Sequence, residues 1–221
     1  MSDDPATRLA RLDACAISDA LDQLGLPGSV TGLAPLAARK RVSGPVITVK
    51  LAAGKSPAGA PARHLCTTAI DRSARGQVIV IEQRTGIECA GWGGILSNAA
   101  RLKGVSGVIV EGLARDVDEA LEIGFAVYAR GATARTARGR IHEASTGEPV
   151  QVGDVAVKTG DWVVADGSGT AFIPAGRIDE VLDAAERIAL REATMTRAVL
   201  GGKPVSAVMG GDYEAMLENP K

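Results

Sequence analysis

Arg115 and Asp116 close the run Glu-Gly-Leu-Ala-Arg-Asp (111–116), directly after the β-branched stretch Gly-Val-Ile-Val-Glu (107–111). An arginine fork can hold a carboxylate through two parallel hydrogen bonds, and the adjacent aspartate can ligate a hard divalent cation. The pair can therefore manage both charges of a keto-acid ligand. The same two residues would serve equally as a surface ion pair and a helix N-cap. A second candidate is Gly-Trp-Gly-Gly-Ile-Leu-Ser (91–97), where glycines between a strand and a helix let backbone approach a ligand. Free N–H groups in the first helical turn would then bind an anion. The alternative is a tight turn that needs small residues for packing. The pattern is neither Gly-x-Gly-x-x-Gly nor a P-loop, so a nucleotide cofactor is not supported.

A third candidate is Glu192. Counted from Ile178, the apolar stripe of the last helix runs through Val181, Leu182, Ala185, Ile188, Ala189, Thr196 and Val199, with Glu192 in its midst. A carboxylate on a packing face is costly unless it is paired, near a metal or at a subunit interface. Other groups carry weaker signals. His64 reads as a structural histidine, and Arg130, Arg135, Arg138 and Arg140 as a solvated charged face. Cys66 and Cys89 have no basic neighbour in sequence and read as buried thiols, while Asp166-Gly167 reads as a turn. Three scattered cysteines and two distant histidines give no zinc spacing, which leaves oxygen ligands for any metal.

The elements that must position these residues follow from periodicity and punctuation. Apolar residues from Leu9 to Leu24 recur at helical spacing and stop at Gly25, which predicts one helix over 8–24. Strands are expected at 46–50, 77–81, 107–111 and 125–129, with helices near 64–71, from the 91–94 turn through Lys103, and over 116–122. This βαβαβ succession implies parallel pairing with right-handed crossovers. Beyond residue 130, short strands at 155–157, 162–165 and 170–173 precede a helix over 176–200, ended by Gly201-Gly202.

Composition limits the function classes. The 221 residues are 46% hydrophobic with a net charge of −1, which suits one globular domain without a field to attract phosphate backbones. Only two each of Phe, Tyr and Trp make base stacking improbable and nucleic acid an unfavoured partner, while 27 glycines point to close backbone packing. No run nears the roughly 18 apolar residues of a membrane span, and the polar start does not resemble a signal peptide, so a cytoplasmic location is expected.

The segment from Gly91 to Asp116, with Ser97, Arg101, Gly104, Gly107 and Gly112 between, resembles the signature of the RraA-like family. Asp19–Gly25, Gly44–Val49, Gly160–Gly169 and Ile173-Pro174 extend the resemblance over most of the chain. That family includes the class II 4-hydroxy-4-methyl-2-oxoglutarate/4-carboxy-4-hydroxy-2-oxoadipate aldolases and the regulator of ribonuclease activity A. The resemblance implies an α/β fold of the swivelling β/β/α layered type, one domain over 1–221, and a tail near 201–221 that is weakly ordered or packs at an interface. It also implies homotrimers or homohexamers with sites between subunits.

In the aldolases it implies that Arg115 binds the pyruvyl unit and Asp116 ligates Mg2+ or Mn2+. Amides of Gly93, Gly94, Ile95 and Leu96 hold the substrate carboxylate, and Glu192 reaches a neighbour's site as a catalytic group. Retro-aldol cleavage and oxaloacetate decarboxylation, both through a pyruvate enolate, are the expected reactions; a non-catalytic regulator of an RNA-processing enzyme is the alternative. One position departs. Where the aldolases carry an aspartate twenty-one residues before the arginine, this chain has Gly94. Loss of such a group weakens metal sites on the order of 10- to 100-fold, so Glu88 or Glu192 substitutes, the substrate differs, or aldolase activity is poor.

Overall fold

The computed structural model describes residues 3–38, 40–59 and 63–210. The chain begins with α1 (Pro5–Leu9) and α2 (Ala14–Gln23), then β1 (Ser29–Val30), β2 (Ala34–Ala37) and the long β3 (Val42–Ala53). The central part runs α3 (Thr67–Arg72), β4 (Val78–Glu82), β5 (Ala90–Trp92), α4 (Gly94–Lys103), β6 (Gly107–Ala114), α5 (Val117–Glu122) and β7 (Ala126–Ala132). It ends with β8 (Ile141–Thr146), β9 (Val150–Val152), β10 (Val155–Val157), β11 (Trp162–Ala165), β12 (Thr170–Ile173), α6 (Ile178–Leu200) and α7 (Val205–Val208).

The predicted helix over 8–24 is two helices. Asp13 turns the chain out of the helical register and caps the second: its carboxylate accepts from Ala16 N at 2.8 Å. The C-terminal end matches the expectation, with Leu24 as C-cap and Gly25 at φ +64°. The central strands pair as expected, β3–β4, β4–β6 and β6–β7 all being parallel. Sequence analysis did not anticipate β8, whose Ile-His-Glu-Ala-Ser-Thr is polar at most positions. It runs antiparallel along β3 from Val49 to Ala53.

β3 joins two halves of one curled mixed sheet. Its first residues, Val42–Pro45, pair antiparallel with β11, and Val46–Lys50 pair parallel with β4. Gly44 at this crossover has φ +154°, and a Cβ there would run into the Gly76 carbonyl, so the bend requires glycine. Strand order is β1-β12-β11-β3-β4-β6-β7-β2, with β5 added beside β6 and β8 beside β3.

Alternation then sorts the side chains into layers. Ile79, Ile81, Val108 and Val110 face α3, α4 and α5, while Val78, Val80 and Ile109 face the β9–β10 hairpin and β11–β12. The far face of β11 and β12, through Val164, Ala171 and Ile173, carries α1, α2 and α6. Burying six of the first eleven residues of α6 (Ile178, Val181, Leu182, Ala184, Ala185 and Ile188) anchors that helix; beyond Ile188 it is largely exposed. No helix among the described residues is long and apolar enough to cross a membrane.

Candidate functional site

Three segments meet where β6 ends. β6 delivers Arg115 and Asp116 to the C-terminal edge of the parallel strands, where open α/β sheets place ligands. β5 lies parallel to β6, registering Trp92 with Ala114, and leads into Gly93 and α4. The connection from β7 to β8 is tied in by Thr133 N to Ala114 O at 2.9 Å and Ala90 N to Arg135 O at 3.0 Å. Together with His64 and Leu65 these segments enclose a cleft of about 90 Å3, lined by Gly93, Gly94, Ile95, Leu96, Arg115, Asp116 and Arg138. That volume suits a ligand of a few carbons, since drug-sized ligands occupy about 300 Å3 or more.

Asp116 holds a backbone conformation that L residues rarely adopt, φ +55° and ψ +40°. It occupies the N-cap position of α5 but makes no cap hydrogen bond. Instead Oδ2 accepts from Gly94 N at 2.8 Å and from Arg115 Nε at 3.1 Å. The helix-cap reading of Asp116 is thereby corrected: the strained backbone turns its carboxylate away from α5 and onto α4.

Gly94 N–H is thus directed to Asp116, and Gly94 lines the cleft. Ile95 and Leu96 N–H, next in the turn, have no acceptor among the described residues. They line the cleft. Two amides at the positive end of a ten-residue helix are donors of the kind that can bind an anion.

The replacement of a family aspartate by Gly94 has a direct counterpart. A Cβ built at Gly94 would lie 2.6 Å from Cδ of Glu119, so the Glu119 carboxylate fills the space that a side chain at 94 would enter. Asn98 Nδ2 orients it, donating to Glu119 Oε1 at 2.7 Å and to Gly94 O at 3.0 Å. A Cβ at Gly93 would similarly come within 2.9 Å of Asp116 Oδ2. Two carboxylates, one turn apart at the start of α5, therefore converge on consecutive glycines. Sequence reasoning named Glu88 and Glu192 as substitutes and missed Glu119. The available signal was the i, i+3 spacing of Asp116 and Glu119 on one helix face.

Glu88 is exposed and pairs with Arg135 at 3.3 Å. Glu192 is absent from this cleft: it lies half-buried on α6, and burial followed by the charges of Asp19 and Asp13 raises its pKa. The stripe expected to surround it does not persist, since Thr196 and Val199 are exposed. Cys66 and Cys89 are buried as expected; Cys66 Sγ donates to Gly91 O at 3.7 Å, and burial pushes its thiol pKa up, so it is an inert strut beneath the loop.

Among the described residues no three His, Cys, Asp or Glu side chains form a metal-binding group. Asp116 is the one carboxylate in the cleft lining, with Glu119 behind Gly94; Mg2+ is commonly held by one or two carboxylates and otherwise by water and substrate oxygens, a donor set of this kind.

The model of the family described as RraA-like, Aldolase/RraA, matches residues 14–171. A relative from Halalkalibacterium halodurans, provisionally named 4-hydroxy-4-methyl-2-oxoglutarate aldolase, is 29% identical over 197 residues, 87% of each chain. Protein DlpA of Legionella pneumophila is 28% identical over 88% of this chain, a match that spans only 31% of that longer protein. Among solved structures, an uncharacterized protein from Pseudomonas syringae superposes with a TM-score of 0.82 at 26% identity, covering 93% of this chain and 96% of that one. RraAS2 from Streptomyces coelicolor, an unusual member of the RNase ES inhibitor RraA family, superposes at 0.77 over 88% of this chain and 96% of its own, at 22% identity. The curled mixed sheet and terminal helix are therefore the fold of these neighbours, and with a family match that runs from α2 into β12, the chain belongs to the RraA-like family.

Proposed function

We propose that the protein is a divalent-metal-dependent carbon–carbon lyase acting on small 2-keto acids, by retro-aldol cleavage of 4-hydroxy-4-methyl-2-oxoglutarate-type substrates and by decarboxylation of oxaloacetate. The single observation that carries the reading is the convergence of Asp116, Glu119 and Arg115 on the glycines that open α4. Names borne by relatives support the same reaction class.

Asp116 and Glu119 would hold the ion, which when bound polarises the 2-keto oxygen as a Lewis acid. Ile95 and Leu96 N–H donate to the substrate's C1 carboxylate and fix the keto acid in one orientation. Arg115, on the other side of Asp116, supplies N–H donors to the oxygen that gains charge as the bond between C3 and its distal substituent breaks. In decarboxylation the departing group is CO2 and the bonding pair stays on C3, giving the enolate of pyruvate, which is then protonated at C3. In the retro-aldol direction the C4 hydroxyl must also lose a proton. We assign that acceptor role to Glu192 of a second copy, in a homotrimer or homohexamer. The second half of α6 is largely exposed and ends at the apolar Leu200, followed by exposed Val205 and Met209 in and after α7, as an interface element would be.

Pyruvate release from 4-hydroxy-4-methyl-2-oxoglutarate and from oxaloacetate, measured with Mn2+, tests the reading. Asp116→Ala is expected to lower turnover by a factor on the order of 100 or more. Absence of turnover, or turnover unchanged by that substitution, overturns it. A regulatory reading has one observation in its favour: Ile95 and Leu102, 85% and 83% exposed, offer apolar side chains on α4 for docking. Binding to an RNA-processing enzyme that persists without divalent ions, together with no turnover, would favour that alternative.

A further inference from the structure

Of the four arginines in β7 and the segment that follows it, each has a different employment. Arg130 grips Glu111 with Nε and Nη2, at 3.0 and 2.7 Å, and also donates to the Thr31 carbonyl. Arg135 pairs with Glu88, and Arg140 donates to Thr136 O. Arg138 is different: its guanidinium has no partner among the described residues, and it lines the cleft together with His64. Arg138 is exposed, as a solvated face requires, and that face borders the cleft.

Its position is built. Thr133 and Arg135 are bonded to Ala114 and Ala90, the residues just before Arg115 and Gly91. Arg138 N then donates to Thr136 Oγ1 at 3.3 Å, and the chain turns into β8. The segment thus crosses the cleft rim as a tied bridge, with buried Ala137 beneath it, and sets Arg138 on the wall formed by the β7–β8 connection rather than on the Asp116 wall.

Charge decides what this wall wants. A divalent ion would neutralise Asp116 and Glu119, leaving Arg115 and Arg138 as two unbalanced cations around a small cleft, with His64 as a further donor. One carboxylate, held by the Ile95 and Leu96 amides, answers only part of that. We propose that Arg138, assisted by His64, is the specificity determinant of the site: it receives the distal carboxylate of the substrate and so selects dianionic 2-keto acids over monoanionic ones. This rests on the lyase reading above and adds to it the group that faces the departing half of the substrate.

The test compares two reactions of one metal-loaded protein. Oxaloacetate decarboxylation requires a dianion, whereas exchange of pyruvate methyl protons with deuterium oxide, followed by NMR, proceeds from a monoanion lacking the distal group. Loss of one charge-assisted contact corresponds to roughly 10- to 100-fold. Arg138→Gln is expected to lower kcat/KM for oxaloacetate relative to the pyruvate exchange rate by that factor, chiefly through KM. Arg138→Lys should recover part of it, and His64→Gln should give a smaller change of the same sign. A ratio within twofold of wild type in Arg138→Gln, or a loss confined to kcat, overturns the assignment. Failure of the lyase reading looks different: wild-type protein would then neither decarboxylate oxaloacetate nor exchange pyruvate protons, and the assignment would fall with it.

Discussion

At the scale of single residues, the site turns on which carboxylate stands beside Gly94. Glu119 reaches there from α5, and the glycine admits it. The two positions act as one, which makes their substitutions non-additive. Glu119→Ala is expected to weaken Mn2+ activation and turnover about 10- to 100-fold. Gly94→Asp in that background should restore much of the loss, since an aspartate then enters the space the glutamate has left. Gly94→Asp alone should help nothing, because its side chain must displace the Glu119 carboxylate and repels it. Metal titrations of activity across the three variants check this. Arg115 and Asp116 were legible in the sequence as an adjacent pair after a strand. Glu119 was not, because the relation that matters is spatial: Gly94 and Glu119 lie in different helices, and only the fold shows that one's missing Cβ is the other's room.

Helices and strands carry a second set of consequences. α6 is amphipathic by sequence throughout, yet only its first half is clamped. Arg8 of α1 holds it there, donating to Asp183 at 2.6 Å and to both oxygens of Glu186 at 2.8 Å. Further along, the Glu192 pKa is raised, by burial first and then by the negative charges of Asp19 and Asp13. A carboxylate whose folded pKa exceeds its unfolded value opposes folding once ionised; that penalty is absent below the ordinary carboxylate range and grows as pH rises. Glu192→Gln should therefore raise the thermal midpoint at pH 7, and the gain should vanish near pH 3.5, as followed by circular dichroism. The same substitution should impair aldol cleavage, so that a more stable protein is a poorer catalyst.

The strands over 155–157, 162–165 and 170–173 were readable because Gly-Asp turns bracket them. β8 was not, since its place beside β3 is fixed by pairing rather than by an apolar alternation. The break between α1 and α2 was hidden for a related reason: helical spacing continues across it, and a single capping aspartate overrides the pattern.

For the whole molecule, the proposed function asks a site assembled on one face of the sheet to use a glutamate carried by a helix on the other. Within one chain it does not: α6 belongs to the layer on β11 and β12, and the cleft to the layer of α4 and α5. On the proposed function, two copies would resolve this. Asp116→Ala and Glu192→Gln, each impaired alone, should complement when co-expressed, because mixed oligomers contain sites that take Asp116 from one copy and Glu192 from another. Random assembly would restore about a quarter of the sites. Recovery in a mixture of the separately purified proteins only after dissociation and reassembly would check it, and lack of recovery would locate Glu192 outside catalysis. The sequence could not reveal this arrangement from its own periodicity, since the pattern of α6 describes contacts within a chain and between chains in the same terms.

Trp92 stands one residue before Gly93, stacked on Phe125 with ring centroids 6.1 Å apart, and its indole N–H donates to Ser97 Oγ at 2.9 Å, bracing the first turn of α4 from below. That places a fluorophore beneath the turn whose two amides are proposed to take a carboxylate. Trp162, the other tryptophan of the chain, sits away on β11. Replacing it by phenylalanine would leave a protein whose entire indole emission reports on the cleft. Occupancy by ion or keto acid would then be readable optically, in protein that never turns over.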